Sequence, residues 1–312
     1  MPWDLVKLND GEHIGINSML PLIPLSSFGT WKIPVGNTTT DQVDQAISVG
    51  FSHVDTAQAY RNEAEAGLAI RESGLGRSDI FITTKYSGLG GLDIETSIQN
   101  SLKNLGVEYV DLYLIHHPRL ATPDIPTAWK KFEDLKKAGL VKSIGISNFD
   151  VKDLQILLAS AKIKPVVNQI LFHPYVYAQQ APILEFGAAH NIVTEAYSAL
   201  TPVTSHRGGP LDKPLKKIRE RLGATDDQVL LAWAKVKGAV ILTTSSKKSR
   251  LEGYLAAGDF VLTDNEIKSI DEAGAEGAKQ FAAKAFLRKN ALFMFVVAIG
   301  FGICSFFRIG IF

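Results

Sequence analysis

YVDLYLIHHP, residues 109–118, is followed by IPTAWKKFEDLKKAG, residues 125–139, and then by VKSIGISNF, residues 141–149. The first and third segments are apolar, β-branched runs that end in polar residues. The second is amphipathic and stops at a glycine, as a helix does. Strand, helix and strand in this order make a crossover unit, which sets its two strands parallel. The same unit recurs outward in both directions. Strands are expected at 23–30 (IPLSSFGT), 51–56 (FSHVDT), 79–85 (DIFITTK), 164–173 (KPVVNQILFH), 191–200 (NIVTEAYSAL) and 238–246 (GAVILTTSS). Helical stretches separate them at 38–50, 62–74, 92–106, 151–162, 179–190 and 226–238, with a further one at 247–258. Eight such units predict a closed (β/α)8 TIM barrel rather than an open sheet. A turn at Asn9-Asp10-Gly11 within VKLNDGEHIG predicts an N-terminal β-hairpin, placed to plug the bottom of the barrel. Residues 264–281 read as an extra helix.

The chain has 312 residues, 46% of them hydrophobic, and a formal net charge of +1, which gives nucleic acid nothing to recognise. The lone Cys304 cannot form an internal disulfide, and the N-terminus carries no signal-peptide pattern, so a cytoplasmic, reducing setting is expected. Residues 291–307, ALFMFVVAIGFGICSFF, run 17 residues without a charge, flanked by Lys284, Arg288, Lys289 and Arg308. As a helix this run would reach about 25 Å, just short of a hydrocarbon core. It is apolar all round, unlike a surface helix. The expected division is a barrel at 1–289 and a hydrophobic tail at 290–312. The tail is read as a C-terminal membrane anchor that tethers the barrel to the cytosolic face of a membrane. A tail packed over the barrel mouth is the alternative.

Polar residues cluster where the strands end: Asp55, Lys85, His116, Ser147, Asn148, Gln169, Tyr197 and Ser198. In a (β/α)8 barrel these ends meet on one face, where active sites form. Any one of them alone reads as a cap or a packed polar group. Together they suggest proton chemistry. Tyr60 closes the segment DTAQAY, five residues after Asp55. A phenol is a weak acid, and a nearby ammonium favours its phenolate. Asp55 would fix Lys85, Lys85 would acidify Tyr60, and Tyr60 would serve as a general acid. A neutral His116 would donate a hydrogen bond to a carbonyl oxygen. With the other histidines dispersed, no catalytic metal is expected.

GTWK (29–32), DTAQAY (55–60), ITTK (82–85), LYLIHHP (112–118), GISNF (145–149), VNQILFHPY (167–175) and EAYSAL (195–200) occur in the order of the landmarks of the aldo-keto reductase family. The chain resembles that family over roughly residues 5 to 275. The resemblance implies a monomeric NADPH-dependent carbonyl reductase with the tetrad Asp55, Tyr60, Lys85 and His116, in which Tyr60 is the proton donor. It further implies that Ser147, Asn148 and Gln169 hold the nicotinamide carboxamide. Tyr197 would stack on the ring and Ser198 would approach the pyrophosphate. Ser245, Ser246 and Arg250, in TTSSKKSR, would meet the adenosine phosphate, although the lysine common in relatives is replaced at Thr244 and a common asparagine at Tyr254. Trp31, His117 and Phe149 would form the substrate pocket, with Phe172 and His173 near it and Ser26 and Ser27 near the rim. His117 in place of a common tryptophan suggests a compact, polar pocket. Such a pocket suits α-keto lactones, α-keto amides and α-keto esters, as in fungal-type members. The alternative function is an NADP(H)-binding regulatory subunit of a membrane partner.

Overall fold

The computed structural model describes residues 5–9 and 22–281. Eight parallel strands close into a barrel: β3 (Ser26–Gly29), β4 (His53–Asp55), β5 (Phe81–Tyr86), β6 (Val110–Ile115), β7 (Val141–Ser147), β8 (Val167–Leu171), β9 (Val193–Tyr197) and β10 (Ala239–Thr243), with β10 pairing back onto β3. Each corresponds to a strand expected from the sequence. The helices packed outside are α1 (Asn37–Ser48), α2 (Glu63–Glu72), α3 (Ile94–Leu105), α4 (Ile125–Lys137), α5 (Val151–Leu158), α6 (Tyr177–Ala189), the short α7 (Thr201–Thr204), α8 (Asp212–Leu222), α9 (Asp226–Val236) and α10 (Lys248–Ala256). A last helix, α11, runs from 264 through 281.

Local chemistry accounts for the helix boundaries. Asp93, Asp124 and Asp150 each accept a hydrogen bond from a backbone N–H in the first turn of α3, α4 and α5. Gly106 ends α3 in the left-handed region at φ 67°. Within α2, a Cβ at Gly67 would collide with the Leu105 backbone, so glycine is what lets α2 lie against the end of α3. Helix α8 was not foreseen. Its sequence, DKPLKKIRERL, carries a proline and follows Gly208-Gly209-Pro210. Pro214 lies in the first turn, where its missing N–H has no intrahelical partner to lose.

Two apolar clusters hold the barrel. The larger lies between the sheet and the helices and includes Val54, Ile82, Tyr113, Trp129, Phe132 and Trp233. The smaller fills the lower lumen, where Leu112, Leu114, Val167 and Val240 meet Leu8, Ile23 and Leu25. An N-terminal hairpin is present, with β1 (Leu5–Lys7) pairing antiparallel with β2 (Leu22–Pro24), so its second strand falls at the start of the stretch expected as the first barrel strand and not directly after Asn9-Asp10-Gly11. The Asn9-Asp10-Gly11 turn extends beyond the described residues, as does the apolar run 291–307 with the expected boundary at 289/290. Among the described residues no helix is long and apolar enough to cross a membrane.

Above the apolar plug the lumen becomes polar. Ladder partners point the same way and side chains alternate along each strand. The register therefore places Asp55, Thr83, Lys85, Ser147, Gln169 and Glu195 on the inner wall. All six are buried. Ser26 and Ser27, expected near the rim, lie on the first half of β3 instead. They are buried below the rim because Gly29, not Ser27, pairs with Asp55 at the strand end.

Candidate active site

Lys85 is wholly buried, and its ammonium is held by three oxygens. Nζ donates to Asp55 Oδ1 at 2.5 Å, to the Thr56 carbonyl at 2.9 Å and to the Tyr60 hydroxyl at 3.4 Å. Burial alone would lower its pKa, but Asp55 and Tyr60 more than offset that, and the net shift is upward. The lysine stays charged because it enters the barrel already paired.

Tyr60 sits on a single turn, Gln58–Tyr60, that follows β4. Its ring lies 5.0 Å from Lys85 Nζ and packs edge-on to His116 at 5.6 Å. Its hydroxyl is 3.5 Å from His116 Nε2. The four residues read from the sequence as a catalytic set are thus brought together at the floor of one cleft. The expected acidification of Tyr60 is not what the geometry produces. Burial raises the phenol pKa and outweighs the lowering by Lys85, so the net shift is upward. Lys85 limits the rise rather than reversing it, and Tyr60 remains a neutral phenol at neutral pH. His116 has its pKa lowered to about 3, by burial first and by Lys85 second, so its imidazole is neutral. Its Nδ1 lies 3.0 Å from Ser87 Oγ.

The cleft above them has a volume of about 530 Å³, within the range of small-molecule sites. Ser147, Asn148, Gln169 and Tyr197 line one side, and Trp31 to Val35 with Leu242 line the other. Trp31 is 48% exposed and forms the outer wall. Asn62, two residues after Tyr60, donates to the Thr30 carbonyl at 2.9 Å and the Ile33 carbonyl at 3.2 Å, tying this wall to the tyrosine turn. Across the cleft, Ser147 Oγ donates to the Gln169 carbonyl at 2.8 Å, and the Tyr197 hydroxyl donates to Asn148 Oδ1 at 2.9 Å. Asn148 and Ser198 have left-handed backbones, at φ 62° and 60°. Each costs on the order of 1–3 kcal/mol in a non-glycine residue, and such strain gathers at functional sites.

Other expected residues fall elsewhere. Phe149 is fully buried and does not line the cleft, since its backbone is locked to the Asn168 side chain behind the wall. Phe172 is likewise buried, stacked on Trp233, and His173 is buried with it. His117 also lies off the cleft, because its Nδ1 accepts from the Arg119 N–H in the next turn. The polar pocket inferred from His117 is therefore replaced by a largely apolar wall at 31–35. Ser198 follows Tyr197 but is not part of the cleft lining.

Ser245, Ser246 and Arg250 lie past β10, outside the cleft. Ser245 Oγ accepts from the Lys247 N–H at 3.1 Å, and no side chain caps α10. Arg250 is paired with Asp227 at 2.6 Å and lies over the buried Tyr254 ring at 5.6 Å. It borders a second, open depression in which Arg207, Arg219 and Arg250 stand among Glu220, Asp226 and Asp227. An uncapped helix start and hydroxyls suit a phosphate, and the Arg250 guanidinium would join them once it left Asp227.

Two residues of the site were not singled out from the sequence. Ser87 follows Lys85 by two and would have been reachable from that spacing. Glu195 opens the EAYSAL landmark, but the sequence assigns it no role. A charged residue inside an apolar strand was its signal.

Residues 27–275 match the aldo/keto reductase family. The chain is 36% identical to the NAD/NADP-dependent indole-3-acetaldehyde reductase of Schizosaccharomyces pombe over 276 residues, covering 85% of this chain and 96% of that one. It is also 36% identical to the NADPH-dependent alpha-keto amide reductase of Saccharomyces cerevisiae, covering 86% and 90%. The crystal structure of a Bombyx mori aldo-keto reductase in complex with NADP superposes with a TM-score of 0.77 at 29% identity, covering 86% of this chain and 92% of that one.

Proposed function

The chain belongs to the aldo/keto reductase family, and on that premise we propose that it reduces aldehydes and activated ketones to alcohols with NADPH, using Tyr60 as the proton donor. The observation that carries this reading is the continuous contact from Asp55 through Lys85 and Tyr60 to His116 at the cleft floor. Ser147, Asn148, Gln169 and Tyr197 would hold the nicotinamide end of the cofactor. Ser245, Ser246 and Arg250 would meet the adenosine phosphate. When bound, NADPH supplies a hydride to the carbonyl carbon.

The chain's own residues supply the rest. A Tyr60 phenol that stays protonated in the resting site holds its proton until negative charge develops on the carbonyl oxygen. It then gives that proton up, and the adjacent Lys85 ammonium stabilises the phenolate left behind. Asp55 keeps the ammonium in place. Where Ser87 Oγ turns its hydrogen to His116 Nδ1 at 3.0 Å rather than to the Lys85 carbonyl at 3.4 Å, the tautomer is the one whose Nε2–H points toward Tyr60 and the cleft. His116 then donates a hydrogen bond to the carbonyl oxygen instead of competing with Tyr60 as an acid. The wall from Trp31 to Val35 shields the site from water on one side. The substrates favoured are small, activated carbonyls (aldehydes, α-keto lactones, α-keto amides and α-keto esters), a choice that rests on the similarity to an indole-3-acetaldehyde reductase and an alpha-keto amide reductase and no longer on His117. The complete proton-transfer set supports catalysis over a purely regulatory cofactor-binding role.

The test is NADPH oxidation by the full chain with these substrates, alongside Tyr60→Phe. Turnover that collapses in the variant supports the assignment. Undiminished turnover removes Tyr60 from the role of acid.

The uncharged run at 291–307 further supports a division into a barrel at 1–289 and a membrane-anchoring segment at 290–312. Detergent-free fractionation of cells making the full chain or residues 1–289 tests this. Anchoring requires that only the full chain pellet with membranes.

A further inference from the structure

Glu195 is wholly buried on β9, deep in the lumen, and no step above uses it. Its Oε2 accepts from Gln169 Nε2 at 2.8 Å, while Oε1 has no hydrogen-bond partner among the described residues. The same Gln169 nitrogen also donates to Asp55 Oδ2 at 2.8 Å. A carboxylate can only accept, so the group that Gln169 turns toward Asp55 must be its NH2. Both N–H bonds are then committed inward, one to Asp55 and one to Glu195. The Gln169 side-chain Oε1, distinct from the backbone carbonyl that accepts from Ser147, is left as the acceptor available to the cleft that Gln169 lines.

We propose that Glu195 is a positioning residue for the cofactor: through Gln169 it fixes which end of the amide faces the cleft, and it leaves Asp55 to Lys85. The proposal rests on the NADPH reading above. Glu195 performs this task as a neutral carboxylic acid. A buried carboxylate with a bare oxygen is costly, and burial, together with Asp55, raises the Glu195 pKa to about 8. The charged groups facing it are Asp55 from β4 and Lys85 from β5. His53, also on β4, is kept neutral by a pKa lowered to about 3. On the flanking strands its ladder partners are Gln169 and Val240, which carry no charge. Beyond β10, the ladder places Ser27 of β3 beside Leu242. Ionising Glu195 sets a second carboxylate one amide away from Asp55, where it competes for Gln169 and for Lys85.

The experiment compares the full chain with Glu195→Leu and Glu195→Gln. NADPH dissociation constants are read by fluorescence from pH 6 to 9, alongside infrared spectra of the cofactor-free proteins. Leucine removes the acceptor for Gln169, and the loss of that one hydrogen bond should weaken NADPH binding about tenfold at pH 7. Glutamine restores an acceptor that does not titrate. It should recover most of the affinity and abolish the weakening that the unsubstituted chain shows as pH rises through about 8. A protonated-carboxyl band should be present in the unsubstituted chain at pH 7, fade through the same range, and be absent from Glu195→Gln. If Glu195→Leu binds NADPH as tightly as the unsubstituted chain, or if the pH dependence persists in Glu195→Gln, the proposal is overturned. If the unsubstituted chain binds no NADPH, the functional reading itself fails and the proposal falls with it. The two failures are distinguished by that one control.

Discussion

The two ends of the proposed cofactor site are built on different physics. At the cleft floor Asp55 and Lys85 are wholly removed from water, and each reaches its neighbour by a short hydrogen bond. At the outer end, Arg250 in the first turn of α10 and Asp227 in the first turn of α9 form an ion pair whose side chains are 42% and 19% exposed. A charge in the lumen has no solvent to fall back on, so each group there depends on one particular partner. A charge at the outer end is screened and can exchange partners at little cost. The floor should therefore tolerate almost no change, whereas the outer end should tolerate substitution.

The largest effect expected at the floor is on turnover. Tyr60→Phe removes the proton and leaves the ring, so turnover should fall about 10²–10⁴-fold in steady-state assays. Thermal stability should change little, because the hydroxyl makes only the longer 3.4 and 3.5 Å contacts. A variant that keeps its turnover would reduce the floor to a structural ion cluster.

Lys85→Met tests the dependence on a partner directly. It leaves Asp55 buried with one donor, Gln169, and should destabilise the chain by about 3–5 kcal/mol in urea unfolding. Adding Asp55→Asn removes the stranded charge and should recover much of that loss without recovering turnover. If the double variant is no more stable than the single one, the cost lies in packing and not in charge.

The floor should also respond to pH in a way the outer end cannot. His116 and His53 have pKa values lowered to about 3, and His173 to about 4, with burial the leading cause each time. A lowered value means the folded chain binds fewer protons than the unfolded one. Their contribution is fully present above the ordinary histidine value of about 6.5 and is lost as pH falls below it. Glu195, raised to about 8, acts with the opposite sign: its contribution is complete below the ordinary glutamate value and is lost as pH rises toward 8. From these four groups, stability should peak near pH 7, where the protons still gained by the unfolded histidines balance the one held by folded Glu195. It should fall more steeply on the acid side, where about two net protons are linked to unfolding between pH 4.5 and 6.5. Melting temperatures across pH 4.5 to 8.5 check both slopes. A maximum above pH 8 would mean that Glu195 is ionised in the folded chain.

The same contrast explains what was legible in the sequence. The barrel was readable because its signal is periodic: eight apolar runs, each closed by a polar residue, leave little freedom in topology. That Asp55, Lys85, His116 and Tyr60 would meet was readable because the first three sit at strand ends and Tyr60 lies on the turn just beyond one, positions that the ladder itself fixes. Placements set by side-chain packing were not legible. Phe149 and His117 are close in sequence to rim residues but turn away from the cleft, one locked to Asn168 and the other to the Arg119 backbone. The sign of the Tyr60 shift was equally hidden, because it depends on how burial compares with the pull of Lys85, and a sequence gives no measure of burial at a loop. Helix α8 was obscured by a proline whose position within the first turn only the fold reveals.

The smallest effect expected lies at the outer end. Asp227→Asn releases Arg250 from its 2.6 Å ion pair and leaves the guanidinium over Tyr254, beside the uncapped start of α10. An exposed pair is worth about 1 kcal/mol at most, so NADPH should bind no more than about fivefold more tightly. NADH, which lacks the 2′-phosphate, should be unaffected. The gain should also shrink as salt is raised, because the charges it relies on are screened. A parallel gain for NADH would place Arg250 against a part of the cofactor that both nucleotides share. The outer end would then hold the cofactor without distinguishing one nucleotide from the other.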